Sequence, residues 1–307
     1  MWGIAGECPH SFSVLLSSVT RGTLFRVHIM HIASLTALLA VGAFAAGLLG
    51  SLTGLGGGIV IVPLLTLGFG VDIRYAIGAS LISVIATSSG AAAAYVREGY
   101  TNIRVGMLLE IGTTIGALVG AYIAGIIPTS AIAIIFGFVL LLSVYRSIRP
   151  LAEHITTGPG DPWAARLRLN SSYPTEHGMQ AYSVQSVPTG IALMGVAGVL
   201  SGLLGIGSGV VKVLAMDQAM RLPFKVSTTT SNFMIGVTAA ASAGLYLHRG
   251  YIDPGLALPV MLGVLAGALV GARTLARAQT KVLRNIFTGV VAILAVEMLY
   301  KGMTGGL

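Results

Sequence analysis

Apolar residues run along this chain in long unbroken blocks, punctuated by glycine, proline and charge. Blocks that are apolar all round, rather than alternating, predict helices buried on every side and not half-buried strands. They fall into two sets of five. The first covers about 32–53, 58–70, 75–96, 104–126 and 130–148; the second covers about 188–204, 209–220, 226–247, 255–275 and 283–302. The second block of each set is short, and a helix of about 12 residues crosses only part of a bilayer. Each short block follows directly on a glycine cluster, Gly54-Leu55-Gly56-Gly57-Gly58 in one set and Gly205-Ile206-Gly207-Ser208-Gly209 in the other.

Those clusters stand at an offset of 151 residues (205 less 54), and other positions repeat at the same offset. Tyr95, Gly99 and Tyr100 return as Tyr246, Gly250 and Tyr251. Gly112, Gly116 and Gly120 return as Gly263, Gly267 and Gly271. One ungapped register relates roughly 47–121 to 198–272, so the chain is an internal duplication. The expected fold class is an all-α polytopic membrane protein of two inverted five-segment repeats, each with a glycine break between its first and second segments. Residues 1–29 are expected to be a disordered N-terminal extension, with Met30 opening the first repeat (30–148). Residues 149–187, polar and rich in turn formers, are expected to be a mobile cytoplasmic linker without chemistry, and 188–303 the second repeat.

Composition agrees. Of 307 residues 55% are hydrophobic and 9% charged, and the mean hydropathy is +0.88. A soluble domain carries about 25% charged residues, so this chain cannot cover a water-facing surface. Helices are the spans that satisfy their own backbone in lipid. The net charge of +8 does not indicate nucleic-acid binding, because Lys and Arg cluster at the ends of apolar blocks. A single cysteine, Cys8, excludes an internal disulfide. Equivalent loops differ in charge. Ile127-Pro128-Thr129-Ser130 is neutral, whereas Arg273, Arg277, Lys281 and Arg284 surround its counterpart. After the fifth block the bias reverses, with Arg146 and Arg149 against Lys301 alone. Opposite bias in equivalent loops indicates inverted repeats, with the linker inside.

A helix restarting after a glycine break presents free N–H groups and the positive end of its dipole. Two such ends brought together form an anion site. The candidate substrate-binding residues are Gly54, Gly56, Gly57, Gly58 and Ser80 from the first repeat. The second contributes Gly205, Gly207, Ser208, Gly209, Lys212, Thr229, Ser231 and Asn232. Lys212 lies three positions past Gly209 inside an apolar block, where an ionisable group faces a cavity or a partner. It either supplies charge to an anion or pairs with Asp217, Glu110 or Glu297. Glu110 is the candidate for a coupling proton; ion pairing is the alternative for it and, through Lys301, for Glu297. Thr87 and Thr238 match each other in register and suit hydrogen bonds to backbone carbonyls. The glycine triplets at 112–120 and 263–271 suit close helix packing, and Tyr95, Tyr100, Tyr246 and Tyr251 suit the membrane interface.

Taken together, Gly47-Leu48-Leu49-Gly50 through Gly54–Gly58 to Pro63, the Gly78-Ala79-Ser80 turn, Gly198–Gly209 and Thr228-Thr229-Thr230-Ser231-Asn232 resemble the TauE/SafE family of anion permeases. The resemblance covers most of 32–302. It implies transport of sulfur-containing anions such as sulfite, sulfoacetate and other organosulfonates across the bacterial inner membrane. A proton is among the coupling ions it allows, and a homo-oligomer is compatible with it. The residues alone give "anion". The chain departs from the family pattern at Leu214, which replaces the counterpart of Pro63, and at Lys212, in the slot of Ile61. No His-Glu-x-x-His motif and no nucleophile constellation is present, so no catalytic residue, cofactor or metal is expected. A passive anion channel, or less naturally an intramembrane hydrolase at Ser208, is the other function class considered.

Overall fold

The computed structural model describes residues 34–50, 58–97, 99–148, 160–175, 178–275 and 280–306. The expected extension at 1–29 and the first glycine break, with Gly54, Gly56 and Gly57, lie outside the described residues. The first repeat runs α1 (Ser34–Gly50), α2 (Gly58–Pro63) with a π-helical turn Leu64–Gly68, α3 (Ile73–Arg97), α4 (Ile103–Ala124) and α5 (Thr129–Ile148). A short α6 (Pro162–Arg166) and a hairpin of β1 (Ser171–Thr175) and β2 (Gly178–Tyr182) follow. The second repeat runs α7 (Val187–Leu204), α8 (Gly209–Leu214) with a π-helical turn Ala215–Ala219, α9 (Phe224–His248), α10 (Pro254–Leu275) and α11 (Thr280–Thr304).

The elements recur in the register read from sequence: α2, its π turn, α3 and α4 begin and end 151 residues (209 less 58) before α8, its π turn, α9 and α10. The π turn forms in both repeats, although Pro63 precedes it in one and Leu214 in the other. Proline is therefore not its cause. Among the described residues five helices, α4, α5, α7, α10 and α11, are long and apolar enough to cross a membrane. Their outer faces expose stripes such as Met107, Ile111, Ile115, Leu118 and Tyr122 on α4. Such a surface is stable against lipid and not against water. The chain is a helical multi-pass membrane protein.

The two repeats pack reciprocally. α3 lies against α9, and α5 against α11. α4 packs on α7 and α9, as α10 packs on α1 and α3. Glycines set the close seams, and their contacts repeat residue for residue. A Cβ on Gly116 would meet the Gly195 carbonyl oxygen at 2.1 Å, and one on Gly267 would meet that of Phe44 at 2.1 Å. Gly198 faces the Thr113 carbonyl as Gly47 faces that of Val264. In lipid, where hydrophobicity does not drive helices together, such close approach maximises dispersion and backbone contacts. Cation–aromatic contacts recur too: the Arg74 guanidinium lies 5.8 Å from the Tyr251 ring centre, and Lys225 Nζ 4.0 Å from that of Tyr100. Tyr246, expected at the interface, is instead buried, and its hydroxyl donates to the Gly202 carbonyl at 3.1 Å. Arg249 and Arg74 donate to C-terminal carbonyls of α4 or the turn beyond it, Arg249 to Ala121 and Arg74 to Ala124 and Ile127.

The expectation of a loose linker needs correction from residue 160 onward. Leu169, Tyr173, Tyr182 and Val184 are buried with Val105, Leu109, Met194, Met216, Met220 and Met234 in a second core. Asn102 ties the segment down. Its Oδ1 caps α4 by accepting from Val105 N, its Nδ2 donates to the Leu169 carbonyl and the Tyr182 hydroxyl, and its own N–H donates to Thr230. Four hydrogen bonds on one side chain and its amide fix the hairpin to the ends of α4 and α9.

Candidate functional site

α7 ends at Leu204 because Gly205 turns left-handed, with φ +66°, and its N–H closes on the Ser201 carbonyl at 2.8 Å. Gly207 has φ +68° and Ser208 φ +42°. The left-handed region is strained for a residue with a Cβ. In register, Ser208 answers to Gly57. The Ser208 hydroxyl donates to the Ala197 carbonyl at 2.5 Å, which anchors the strained residue to α7.

The head of α2 meets the second break. A Cβ on Gly58, the first residue of α2, would stand 3.0 Å from Ser80 Oγ and 3.3 Å from the Cα of Ile206. Ser80 Oγ donates to the Gly205 carbonyl at 2.9 Å, across to the other repeat. Ser231 Oγ lies 3.4 Å from the Gly209 carbonyl that it faces. The walls are α3, with Ile77, Ser80 and Val84, and α9, with Ser231 and Ile235. A Cβ on Gly205 would come within 2.6 Å of Ile77, and one on Gly207 within 2.7 Å of Ile235. Glycine is thus demanded twice at each position, by backbone angle and by space. The starts of α2 and α8 carry first-turn N–H groups with no intrahelical acceptor, and both lie at this junction.

One turn along α8, Lys212 is fully buried. Its Nζ donates to Thr238 Oγ1 at 2.5 Å, and Thr238 Oγ1 lies 2.7 Å from Glu110 Oε1 and 2.9 Å from the Met234 carbonyl. Thr114 also donates to Glu110 Oε1, at 3.2 Å. Glu110 Oε2 is buried and has no hydrogen-bond partner among the described residues. Of the partners considered for Lys212, the structure selects Glu110, reached through Thr238. Asp217 instead faces Arg146 at 4.0 Å. Glu297 is exposed on α11 beside Ile293, Val296 and Tyr300, and among the described residues no ion pair joins it to Lys301.

Among the proposed site residues, Gly58, Ser80, Gly205, Gly207, Ser208, Gly209 and Ser231 converge, and Lys212 lies one turn away. Thr229 does not join them. Its hydroxyl donates to carbonyls, including that of Tyr100 at 3.1 Å. Its counterpart Gly78 faces the carbonyl of Tyr251 in the same way, so the position serves helix–loop packing. Asn232 is half-buried on α9, and its side chain makes no hydrogen bond among the described residues. Thr238 and Thr114 were missed. Among the described residues the side chain of Thr87, the counterpart of Thr238, bonds only to the Ser83 and Val84 carbonyls, and that match concealed the second role. Among the described residues no three His, Cys, Asp or Glu side chains cluster to hold a metal.

The family model described as sulfite exporter TauE/SafE matches residues 38–298. The probable membrane transporter protein YunE of Bacillus subtilis is 30% identical over 275 residues, 87% of this chain and 98% of that protein. YdhB of the same organism, also a probable membrane transporter protein, is 27% identical over 75% of this chain and 86% of its own length. The probable membrane transporter protein MJ0441 of Methanocaldococcus jannaschii is 26% identical over 85% of this chain and 94% of its own. No solved structure matches the chain. With its two glycine-broken repeats almost wholly inside the matched region, this chain belongs to the sulfite exporter TauE/SafE family of membrane transporters.

Proposed function

We propose that the chain is a secondary transporter carrying a sulfur-containing anion, such as sulfite, sulfoacetate or another organosulfonate, across the cytoplasmic membrane by alternating access. The observation that carries this reading is the meeting of the head of α2 with the second break: Gly58 abuts Ile206, and Ser80 is bonded to Gly205. Helix starts at a shared, lipid-shielded point favour negative charge there. Lys212, fully buried a turn away, adds the only full positive charge on α8. The opposite charge bias of equivalent loops supports inverted repeats with residues 149–187 cytoplasmic, and inverted repeats rocking about a central site give alternating access. A proton is the proposed coupling ion and Glu110 its proposed carrier. The name of the family supports the substrate class.

A thermal-shift screen of purified protein against sulfite, sulfate, thiosulfate, sulfoacetate, taurine and simple carboxylates tests it. A sulfur oxyanion at a hundredfold excess over its Kd should stabilise the fold by about 2.7 kcal/mol. No shift with any sulfur anion contradicts the reading. Saturable uptake into proteoliposomes identifies a carrier, and conductance far above carrier turnover identifies a channel instead.

A further inference from the structure

Lys212 and Thr238 of the second repeat and Glu110 of the first form a polar chain that their counterparts Ile61, Thr87 and Met261 do not repeat. The first repeat has Ile61 where the second has Lys212, and the second has Met261 where the first has Glu110. Ile61 and Lys212 are both fully buried, so packing alone is satisfied by an aliphatic residue at this place in the fold. A buried ammonium and carboxylate are often less stabilising than well-packed apolar residues of similar volume. Their presence therefore calls for a role beyond folding.

Two details indicate what the role is. Lys212 reaches Glu110 through the hydroxyl of Thr238, and no direct ion pair joins them among the described residues. Among the described residues Glu110 Oε2 has no donor, so a proton adds there without displacing one. The other charged and titratable groups nearby do not compete. α7, packed on α4, carries none; those of α9 are Lys225, Tyr246 and His248, near its ends; α4 itself adds Arg104 and Tyr122, and Asp217 of the π turn faces Arg146. Lys212 is the counter-charge of Glu110.

We propose that Glu110 is a tethered stand-in for the substrate anion: its carboxylate engages Thr238 and Lys212 while no anion is bound, and an incoming anion takes over both as Glu110 Oε2 binds a proton. This rests on the anion-transport reading above and adds the coupling chemistry to it. With one buried cation and two anions, the site would carry uncompensated charge in low dielectric, which is costly. A proton on Glu110 keeps the buried cluster neutral in both states. Anion and proton therefore enter together. The ligand class that fits is a small oxyanion with several acceptor oxygens, able to take one hydrogen bond from Lys212 and one from Thr238 at once.

Calorimetric titration of the purified full chain with methanesulfonate, whose charge is fixed over the working range, tests this. Titrations in two buffers of different ionisation enthalpy count protons. The expected result at alkaline pH is uptake of about one proton per anion, with Kd rising about tenfold per pH unit. In Glu110→Gln the Kd should lose its pH dependence and be about tenfold or more tighter than wild type at the alkaline end. Wild-type binding without proton uptake, or a Gln variant retaining the wild-type slope, overturns the proposal. The proton count on wild type stands even if the variant does not fold. Wild type that binds no sulfur anion in the screen defeats the transport reading itself, and this proposal with it; anion binding without proton uptake defeats this proposal alone.

Discussion

Replacing Gly116 by alanine should destabilise the protein more than its size suggests. The added Cβ would stand 2.1 Å from the Gly195 carbonyl oxygen and 3.0 Å from the Val199 amide nitrogen. Both are backbone atoms, so no rotamer change makes room. To restore ordinary contact at 3.4 Å, α4 and α7 must part by about 1.3 Å. A gap of 0.5–1 Å already forfeits about a quarter to a half of each dispersion well along a seam. Overpacking of this kind costs about 1–3 kcal/mol, and the upper half of that range is expected where the backbone itself must move. Gly195→Ala is the control. Its Cβ would see only the Gly112 carbonyl at 4.0 Å, and alanine in mid-helix is worth up to about 1 kcal/mol over glycine. Thermal unfolding of detergent-solubilised protein should show a lower Tm for Gly116→Ala and an unchanged or higher Tm for Gly195→Ala. Gly267→Ala, whose Cβ would meet the Phe44 carbonyl at 2.1 Å, should behave as Gly116→Ala does. Equal losses at 116 and 195, or no loss at 116, would refute the packing argument.

Lys212→Met should abolish or strongly weaken anion binding, measured by calorimetry. It also leaves Glu110 buried without its counter-charge, a loss of about 3–5 kcal/mol. Lys212→Met with Glu110→Gln should recover most of that stability but not the binding; a double variant no more stable than the single would show that the two residues are not coupled. Asn102→Ala should lose the α4 cap, worth about 1 kcal/mol, and free the hairpin at 171–182. Limited proteolysis should then cut that segment faster than in wild type, and an unchanged cleavage rate would show that other contacts hold it.

The helix blocks were legible because lipid imposes their length and composition, and the structure places their ends within a few residues of the apolar runs. The duplication was legible because glycine has no substitute where a backbone packs at 2–3 Å from a would-be Cβ, as at Gly116 and Gly267. The segment after residue 160 was not legible. Its buried residues, Leu169, Tyr173, Tyr182 and Val184, are scattered singly among polar ones and gain meaning only against Met216, Met220 and Met234, which come later in the chain. Within the site, Ser80 and Ser231 were readable as a matched pair beside the breaks. Thr229 misled because it belongs to the same hydroxyl run as Ser231, although the 100° step of a helix points the two side chains in different directions. Thr238 was hidden by symmetry: Thr87 shares its backbone bond but has no lysine or carboxylate to join. Opposite charges on Lys212 and Glu110 hinted at their pairing, and only the fold could choose Glu110 over Asp217.

The central claim is that an anion sits where the two interrupted helices begin. Crystals grown with 2-bromoethanesulfonate would test it through the anomalous signal of bromine, which locates the ligand independently of any fitted side chain. The account predicts one sulfonate at the junction of Gly58 with Gly205–Gly209, within reach of first-turn amides and Lys212. A ligand bound elsewhere, with Val84 and Ile235 closed over an empty junction, would contradict it.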